Sequence, residues 1–167
     1  MTNVIILILV VLIAFLANIA FSYINSRGDF SFKKYFDLVN VPIVTFYSGK
    51  NKLNFLLDTG STNSHISKKA SKLLTGTLTN TSLSCVTSTG LNEDIDKAVY
   101  ALLSYKGKDY TVSLFINKGL DAAFENTNAT KGLNIHGILG SDFINEYSCI
   151  IDFNKYTIKY GKRNKTV

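Results

Sequence analysis

The chain of 167 residues has little cysteine and little proline: two of the first and one of the second. The two cysteines, Cys85 and Cys149, are too few for a small disulfide scaffold, and they could pair or stay as thiols. A single proline excludes a proline-rich linker protein, and 46% apolar with 12% aromatic residues excludes a disordered chain. The length and composition therefore predict one ordinary domain with an appendage.

The sequence also lacks the patterns typical of metal, phosphate and nucleic-acid sites. Its two histidines and two cysteines form no closely spaced pair, which predicts no metal, and nothing points to a cofactor. The segment 137–140 has no lysine after its glycines, unlike a phosphate-binding loop. The net charge is +6, but the basic residues are scattered, and their dense group belongs to a solvated tail at 161–167. We therefore expect no nucleic-acid partner.

One long apolar run lies near the start of the chain. Between Val4 and Ile24, nineteen of twenty-one residues are apolar. As a helix this run would cover about 30 Å, the thickness of a bilayer core, so it predicts a transmembrane helix at about 4–24 within an anchor at 1–27. A cleaved signal peptide is the alternative, although the usual positive residues before the run are missing.

The orientation of that expected anchor follows from the charges beside it. Lysine and arginine follow the run and none precedes it, so the positive-inside rule predicts a single-pass membrane protein whose C-terminal part is cytoplasmic. Three asparagine sequons would suit the opposite side, although a chain this rich in asparagine forms them by chance: Asn80, Asn128 and Asn164.

The remainder of the chain indicates β-structure. A linker is expected at 28–40 and one mainly β domain at 41–160, with hairpins at 41–57, 98–116 and 149–160. Ser67 could cap a short helix, 142–147 could form one or two helical turns, and 118–134 is expected to be irregular and polar.

The informative stretch is the end of the apolar run 55–57, which leads directly into Asp58, Thr59, Gly60 and Ser61. A carboxylate at a strand end can stay ionised if hydroxyl and backbone N–H groups donate to it. The same residue types are common in hairpin turns, so the tripeptide alone would indicate only a turn. Downstream, however, Ile138, Leu139 and Gly140 form a second apolar segment that ends in glycine.

These two segments together resemble the retropepsin-like aspartic proteases, the single-domain relatives of pepsin. The matching residues are 57–61 and 137–143, and the likeness covers about 41–160. The resemblance implies a closed β-barrel half-unit with one short C-terminal helix. It also implies that Asp58 is the catalytic acid, that Thr59 holds two loops together across a dimer axis, that Gly60 permits close approach, and that Ser61 hydrogen-bonds the carboxylate.

The same resemblance assigns two supporting segments. Ile138, Leu139 and Gly140 would complete a ψ-shaped motif beside the acid. A mobile flap over the cleft would come from the segment around 85–92, with these residues at its tip: Val86, Thr87, Ser88, Thr89 and Gly90. The spacing between the two motifs is longer than in the shortest viral members, which leaves the shape of the cleft open.

Aspartic-protease chemistry needs two carboxyl groups that share one proton. The chain has one Asp-Thr-Gly; Asp142 is interpreted as a helix N-terminal acid and Asp152 as a strand or turn residue. We therefore expect a homodimer in which the Asp58 side chains meet and which cleaves a peptide or protein substrate. Two alternatives are a catalytically silent binding or dimerisation module of the same fold, and a membrane-tethered structural β-domain.

Overall fold

The computed structural model describes residues 2–26, 30–86 and 92–161. The helices in these ranges are α1 (Thr2–Ser26), α2 (Lys33–Val39), α3 (Lys68–Ser71), α4 (Gly119–Lys131) and α5 (Ser141–Glu146). The strands are β1 (Phe30–Ser31), β2 (Ile43–Ser48), β3 (Asn51–Leu57), β4 (His65–Ser67), β5 (Gly76–Val86), β6 (Asn92–Tyr105), β7 (Lys108–Asn117), β8 (Ile135–Leu139), β9 (Cys149–Asp152) and β10 (Thr157–Tyr160). The expected mainly β architecture is confirmed.

Six strands close into a barrel in the order β2-β3-β8-β4-β7-β6, and β6 returns to β2 through the pair Tyr47 and Ser104. Alternation of side chains explains why these sequences form strands with one buried face: in β7, Val112 and Leu114 are buried while Thr111 is exposed. Since each strand of the ring has neighbours on both sides, the barrel leaves few open edges, and β5 extends from it as a second partner of β6.

The three hairpins expected from the sequence are present. β2 pairs with β3, β6 with β7, and β9 with β10, all antiparallel. The turn between β6 and β7 consists of Lys106 and Gly107, both with positive φ (48° and 77°). Two successive residues with positive φ match the twist of the flanking strands, which is why a Lys-Gly pair suits this turn.

A second sheet, in the order β1-β10-β9, contacts the barrel. It includes β1 from the segment expected to be a linker, and α2 follows in the same segment. Phe30 and Phe32 are fully buried, and the Phe30 ring lies 5.1 Å from that of Phe46 in the barrel. Aromatic burial of this kind contributes about 2 to 3 kcal/mol per ring, so these residues belong to the core.

The expected transmembrane helix requires a correction. Within the described part of the chain, no helix has both the length and the apolarity needed to cross a membrane. This finding overturns the prediction of a spanning segment, of single-pass membrane localisation, and of a cytoplasmic side that was inferred from it.

The polar stretch at 118–134 also differs from expectation, because 119–131 forms α4. The helix ends where Gly132 adopts the left-handed conformation (φ 62°). It buries one residue, Phe124, in a small second core with Ile43, Leu133 and Ile135. A helix with a single buried residue has almost no apolar periodicity, so its sequence does not distinguish it from a loop.

Candidate active site

Asp58 lies directly after β3, at the end of the parallel pair formed by β3 and β8. The chain then turns through 58–64 and enters β4, which pairs with the opposite side of β8. β8 therefore passes between the two ends of this loop. The Asp58 N–H donates to the carbonyl oxygen of Leu139 at 3.0 Å, which fixes the first residue of the loop to the last residue of β8.

The carboxylate of Asp58 is half-buried and is held by its own loop. The Oδ1 atom accepts the N–H of Gly60 at 2.9 Å, and the backbone carbonyl oxygen of Asp58 accepts the N–H of Ser61 at 3.2 Å. A Cβ at position 60 would lie 3.2 Å from Oδ1, so glycine suits this tight approach. No hydrogen bond to Oδ2 is found from any residue that the structure describes, which leaves this oxygen available to a second group.

The hydrogen bonds of Ser61 and Thr59 differ in part from those expected. The Ser61 hydroxyl donates to the carbonyl oxygen of Asn63 at 2.7 Å, not to the Asp58 carboxylate. The backbone N–H of Gly60 donates to the Asp58 carboxylate instead. Thr59 is exposed, and its carbonyl oxygen accepts the hydroxyl of Ser141 at 3.0 Å. The Thr59 side chain is thus presented at the surface of the loop.

The segment 138–140 lies beside the Asp58 loop. Ile138 pairs with Leu56 on one side and with His65 on the other, and Leu139 is buried. At Gly140, a Cβ would lie 2.6 Å from the carbonyl oxygen of Asn63 and 2.7 Å from that of Ser61. Because both neighbours are backbone atoms, any side chain here would separate the loop from β8. Glycine is required at position 140 by this close approach.

Ser64, to which sequence reasoning assigned no role, and Asp142, interpreted only as a helix N-terminal acid, hold the loop in place. The buried Ser64 donates its hydroxyl to Asp142 Oδ1 at 2.6 Å and its N–H to Asp142 Oδ2 at 2.9 Å. The same hydroxyl accepts the N–H of Gly140 at 3.0 Å. Asp142 also accepts the N–H of Phe143, which fits its expected place at the start of a helix, but its larger role is to fasten the loop to α5.

Asp152 is the last residue of β9 and accepts the N–H groups of Asn154 and Lys155 in the turn that follows, which agrees with its interpretation as a strand or turn residue. The expected flap falls mostly outside the described residues: Val86 is the last residue of β5, and 87–90 are not among them. The basic tail beyond 161 also lies outside. Among the acids placed by the structure, Asp58 is the one whose carboxylate sits in the loop at the end of β3.

Other chemistries find no support in the described residues. They contain no group of three metal-binding side chains. No disulfide joins Cys85 to Cys149. Burial raises the pKa of the Cys149 thiol to about 11, so at neutral pH it stays protonated and is a poor nucleophile. Burial lowers the pKa of His136. Its Nδ1 accepts the N–H of Asn54 at 2.9 Å, so this nitrogen stabilises the fold and is not available to activate a nucleophile.

Comparison with known proteins gives matches only at the level of structure. No protein-family model matches the chain, and no curated protein matches it. EIAV protease in complex with an inhibitor superimposes with a TM-score of 0.45 at 16% identity, over 67% of this chain and 92% of that one. The retroviral protease-like domain of Ddi1 from Leishmania major superimposes with a TM-score of 0.45 at 12% identity, over 74% of this chain and 95% of that one. At these identities we base the function on the contacts of the site itself.

Proposed function

We propose that this chain is an aspartic endopeptidase that becomes active as a homodimer, with Asp58 of each copy supplying one half of the catalytic pair. The observation that carries the proposal is the geometry of the Asp58 loop. Its backbone is fastened to β8, one carboxylate oxygen is held by Gly60, and the other oxygen meets no donor among the described residues. Such a carboxylate is positioned for chemistry. Asp152 also uses one carboxylate oxygen for local N–H groups, but it ends β9 of the three-stranded sheet, whereas the Asp58 loop follows β3 and is fastened to β8 of the barrel.

The need for a second copy follows from the count of carboxylates. Peptide hydrolysis of this type requires two carboxyl groups that share one proton, and a single chain supplies one at this loop. Thr59 and Gly60 are exposed next to Asp58, so a second copy can approach on a two-fold axis and place its own Asp58 beside the first.

The reaction then proceeds by general acid–base catalysis in the dimer. The ionised carboxylate takes a proton from a water molecule, and the water oxygen forms a bond to the carbonyl carbon of the peptide. The protonated carboxyl gives its proton to the carbonyl oxygen. When the tetrahedral intermediate collapses, the carboxyl that took the proton of the water gives it to the amide nitrogen, and a hydroxyl of the intermediate gives its proton to the other carboxylate. The C–N bond breaks, the amine leaves, and the pair again holds one shared proton. No metal or other cofactor enters these steps.

The first test is Asp58→Asn. This change preserves shape but cannot share the proton, so cleavage of a peptide library should fall by at least about 10³-fold, and a pepstatin-type inhibitor should abolish wild-type cleavage. Asp37→Asn is the matched control, because Asp37 is an exposed acid on α2 whose partner among the described residues is Lys33, at 3.2 Å. Full cleavage by Asp58→Asn, or equal loss in both variants, would remove the assignment.

A mixing experiment tests the dimer separately from the acid. Equal amounts of wild type and Asp58→Asn, exchanged at a fixed total concentration, should retain about a quarter of the wild-type rate, since only dimers with two aspartates are active. A single-chain enzyme would retain about half. Sedimentation of both samples checks that the variant dimerises like the wild type. A rate proportional to the wild-type fraction would contradict the shared site.

A further inference from the structure

A cavity of about 350 Å³ lies between α3, α4 and the start of β8. Its apolar wall is formed by Leu73, Leu120, Phe124 and Ile135, and His136 lies among its lining residues. The volume falls in the range of pockets that bind small molecules. The cavity is separate from the Asp58 loop, because Ile135 and Leu139 stand at opposite ends of β8.

His136 is oriented in this cavity by an irregularity of the sheet. The pairing between β3 and β8 shifts after Asn54, so that Asn54 faces Ile135 while Phe55 faces Gly137, and His136 is the extra residue. The Asn54 N–H, which has no strand partner at this shift, donates to His136 Nδ1 at 2.9 Å. Nδ1 therefore carries no proton, and the ring's one N–H is on Nε2.

That Nε2–H group is the feature that indicates a ligand. His136 is only 7% exposed, and its Nε2 has no hydrogen-bond partner among the residues that the structure describes. The atom is nevertheless not one of the buried side-chain atoms without a partner in that part of the chain, so it keeps access to the space of the cavity, and an acceptor that enters the cavity can reach it. Since Nδ1 is committed to Asn54, the remaining donor of the ring serves the cavity that His136 lines.

The walls of the cavity are fastened to each other, so they do not collapse into it. The Asn128 side chain on α4 makes two hydrogen bonds to the backbone of Ile135, at 2.8 and 3.3 Å. On the other side, Asp121 accepts the N–H of Lys69 at 3.1 Å, and Glu125 lies 4.0 Å from the Lys69 ammonium. Two acids and one base thus stand at this wall, a balance that disfavours an anionic ligand.

We propose that this cavity is a binding site for a small neutral molecule with an apolar body and one hydrogen-bond-accepting oxygen, which receives the Nε2–H of His136. A carbonyl or ether compound with an aromatic or alicyclic body has this chemistry. The site is independent of peptide cleavage, and its occupancy can be measured without any assay of activity.

The experiment titrates the full chain with three probes that share a benzene ring: acetophenone, ethylbenzene and benzoate. Amide shifts of Phe124 and Ile135 in ¹H–¹⁵N spectra, with the side-chain ¹⁵N shifts of His136, report occupancy. Acetophenone should bind about tenfold more tightly than ethylbenzene, which lacks the acceptor, because one hydrogen bond contributes about a factor of ten. Benzoate should bind more weakly than acetophenone.

Three variants keep the result interpretable. Leu73→Trp enlarges a side chain that lines the cavity and is 39% exposed, so it should block acetophenone, while Leu102→Trp on β6, 47% exposed and outside the cavity, should not. His136→Phe should abolish the preference for acetophenone over ethylbenzene. Equal binding of those two probes to the wild type, no binding of acetophenone up to its solubility, or undiminished binding by Leu73→Trp would each overturn the proposal.

Discussion

Replacing Asp142 with alanine should destabilise the chain far more than the loss of an exposed carboxylate. The Asp142 side chain accepts three hydrogen bonds, two from Ser64 and one from the N–H of Phe143. Ser64 is fully buried, so its N–H would have no water to replace the lost acceptor. The change therefore removes a fastening between the Asp58 loop and α5 and leaves a buried donor unsatisfied.

The magnitude follows from these contacts. Hydrogen bonds to a charged group contribute about 1.5 to 3 kcal/mol each, and a buried unsatisfied donor costs about 1 to 3 kcal/mol. Bonds in one network are not additive, so we expect a loss of about 3 kcal/mol in the free energy of unfolding. For a domain of about 130 residues, this corresponds to a fall of about 10 °C in Tm.

Urea unfolding followed by circular dichroism measures the loss, with Asp37→Ala as the matched control. Asp37 is exposed and its ion pair with Lys33 contributes less than about 1 kcal/mol. Ser64→Ala and the double variant with Asp142→Ala complete a cycle whose coupling energy should exceed about 1 kcal/mol. If Asp142→Ala lay within about 0.5 kcal/mol of the control, the fastening would not exist as described.

Two further predictions concern buried titratable groups. Tyr110→Phe removes a buried hydroxyl that has no partner among the described residues. Burial raises the pKa of this hydroxyl to about 12. The free energy of unfolding in urea should therefore stay equal or rise in the variant. Tyr147→Phe removes a hydroxyl that binds the N–H and carbonyl groups of Thr111 at 2.8 and 2.9 Å, and should cost about 1 kcal/mol; the reverse order would contradict the hydrogen bonding. Burial lowers the pKa of His136, so as pH falls below about 6.5 the unfolded chain takes up a proton before the folded one does, and the free energy of unfolding falls. His136→Phe should flatten that slope between pH 7 and 5, and an unchanged slope would show that another group causes it.

The sequence indicates those parts of the fold whose signal is local. Alternation and a Lys-Gly turn are contained in a dozen residues, so the hairpin of β6 and β7 is predictable. The Asp58 loop is also local, since an apolar strand runs directly into Asp-Thr-Gly. The need for glycine at position 140 cannot be predicted from its neighbours in the sequence, because the carbonyl groups that it approaches, those of Asn63 and Ser61, lie far away in the chain.

Contacts between distant residues of ordinary type are the ones that sequence reasoning missed. Ser64 and Asp142 are 78 residues apart, and each has a plain local interpretation, as a loop serine and as a helix N-terminal acid. Asn54 and His136 are 82 residues apart, and their bond depends on a bulge that leaves no mark on the hydrophobic pattern. The burial of Phe30 could not be predicted from the sequence either, because a two-residue strand is too short to show a periodic pattern.

Both proposed sites depend on the placement of one strand, β8. It lies between β3 and β4, and a side chain at Gly137 would collide with the carbonyl oxygen of His65 and with the Phe55 ring. At its start the bulge orients His136, and at its end Leu139 anchors Asp58. A slip of one residue in β8 would turn His136 away from Asn54 and remove the acceptor for the Asp58 N–H together. Any substitution that shifts this register must therefore impair the cavity and the catalytic loop at once, whereas Leu73→Trp should leave peptide cleavage unchanged.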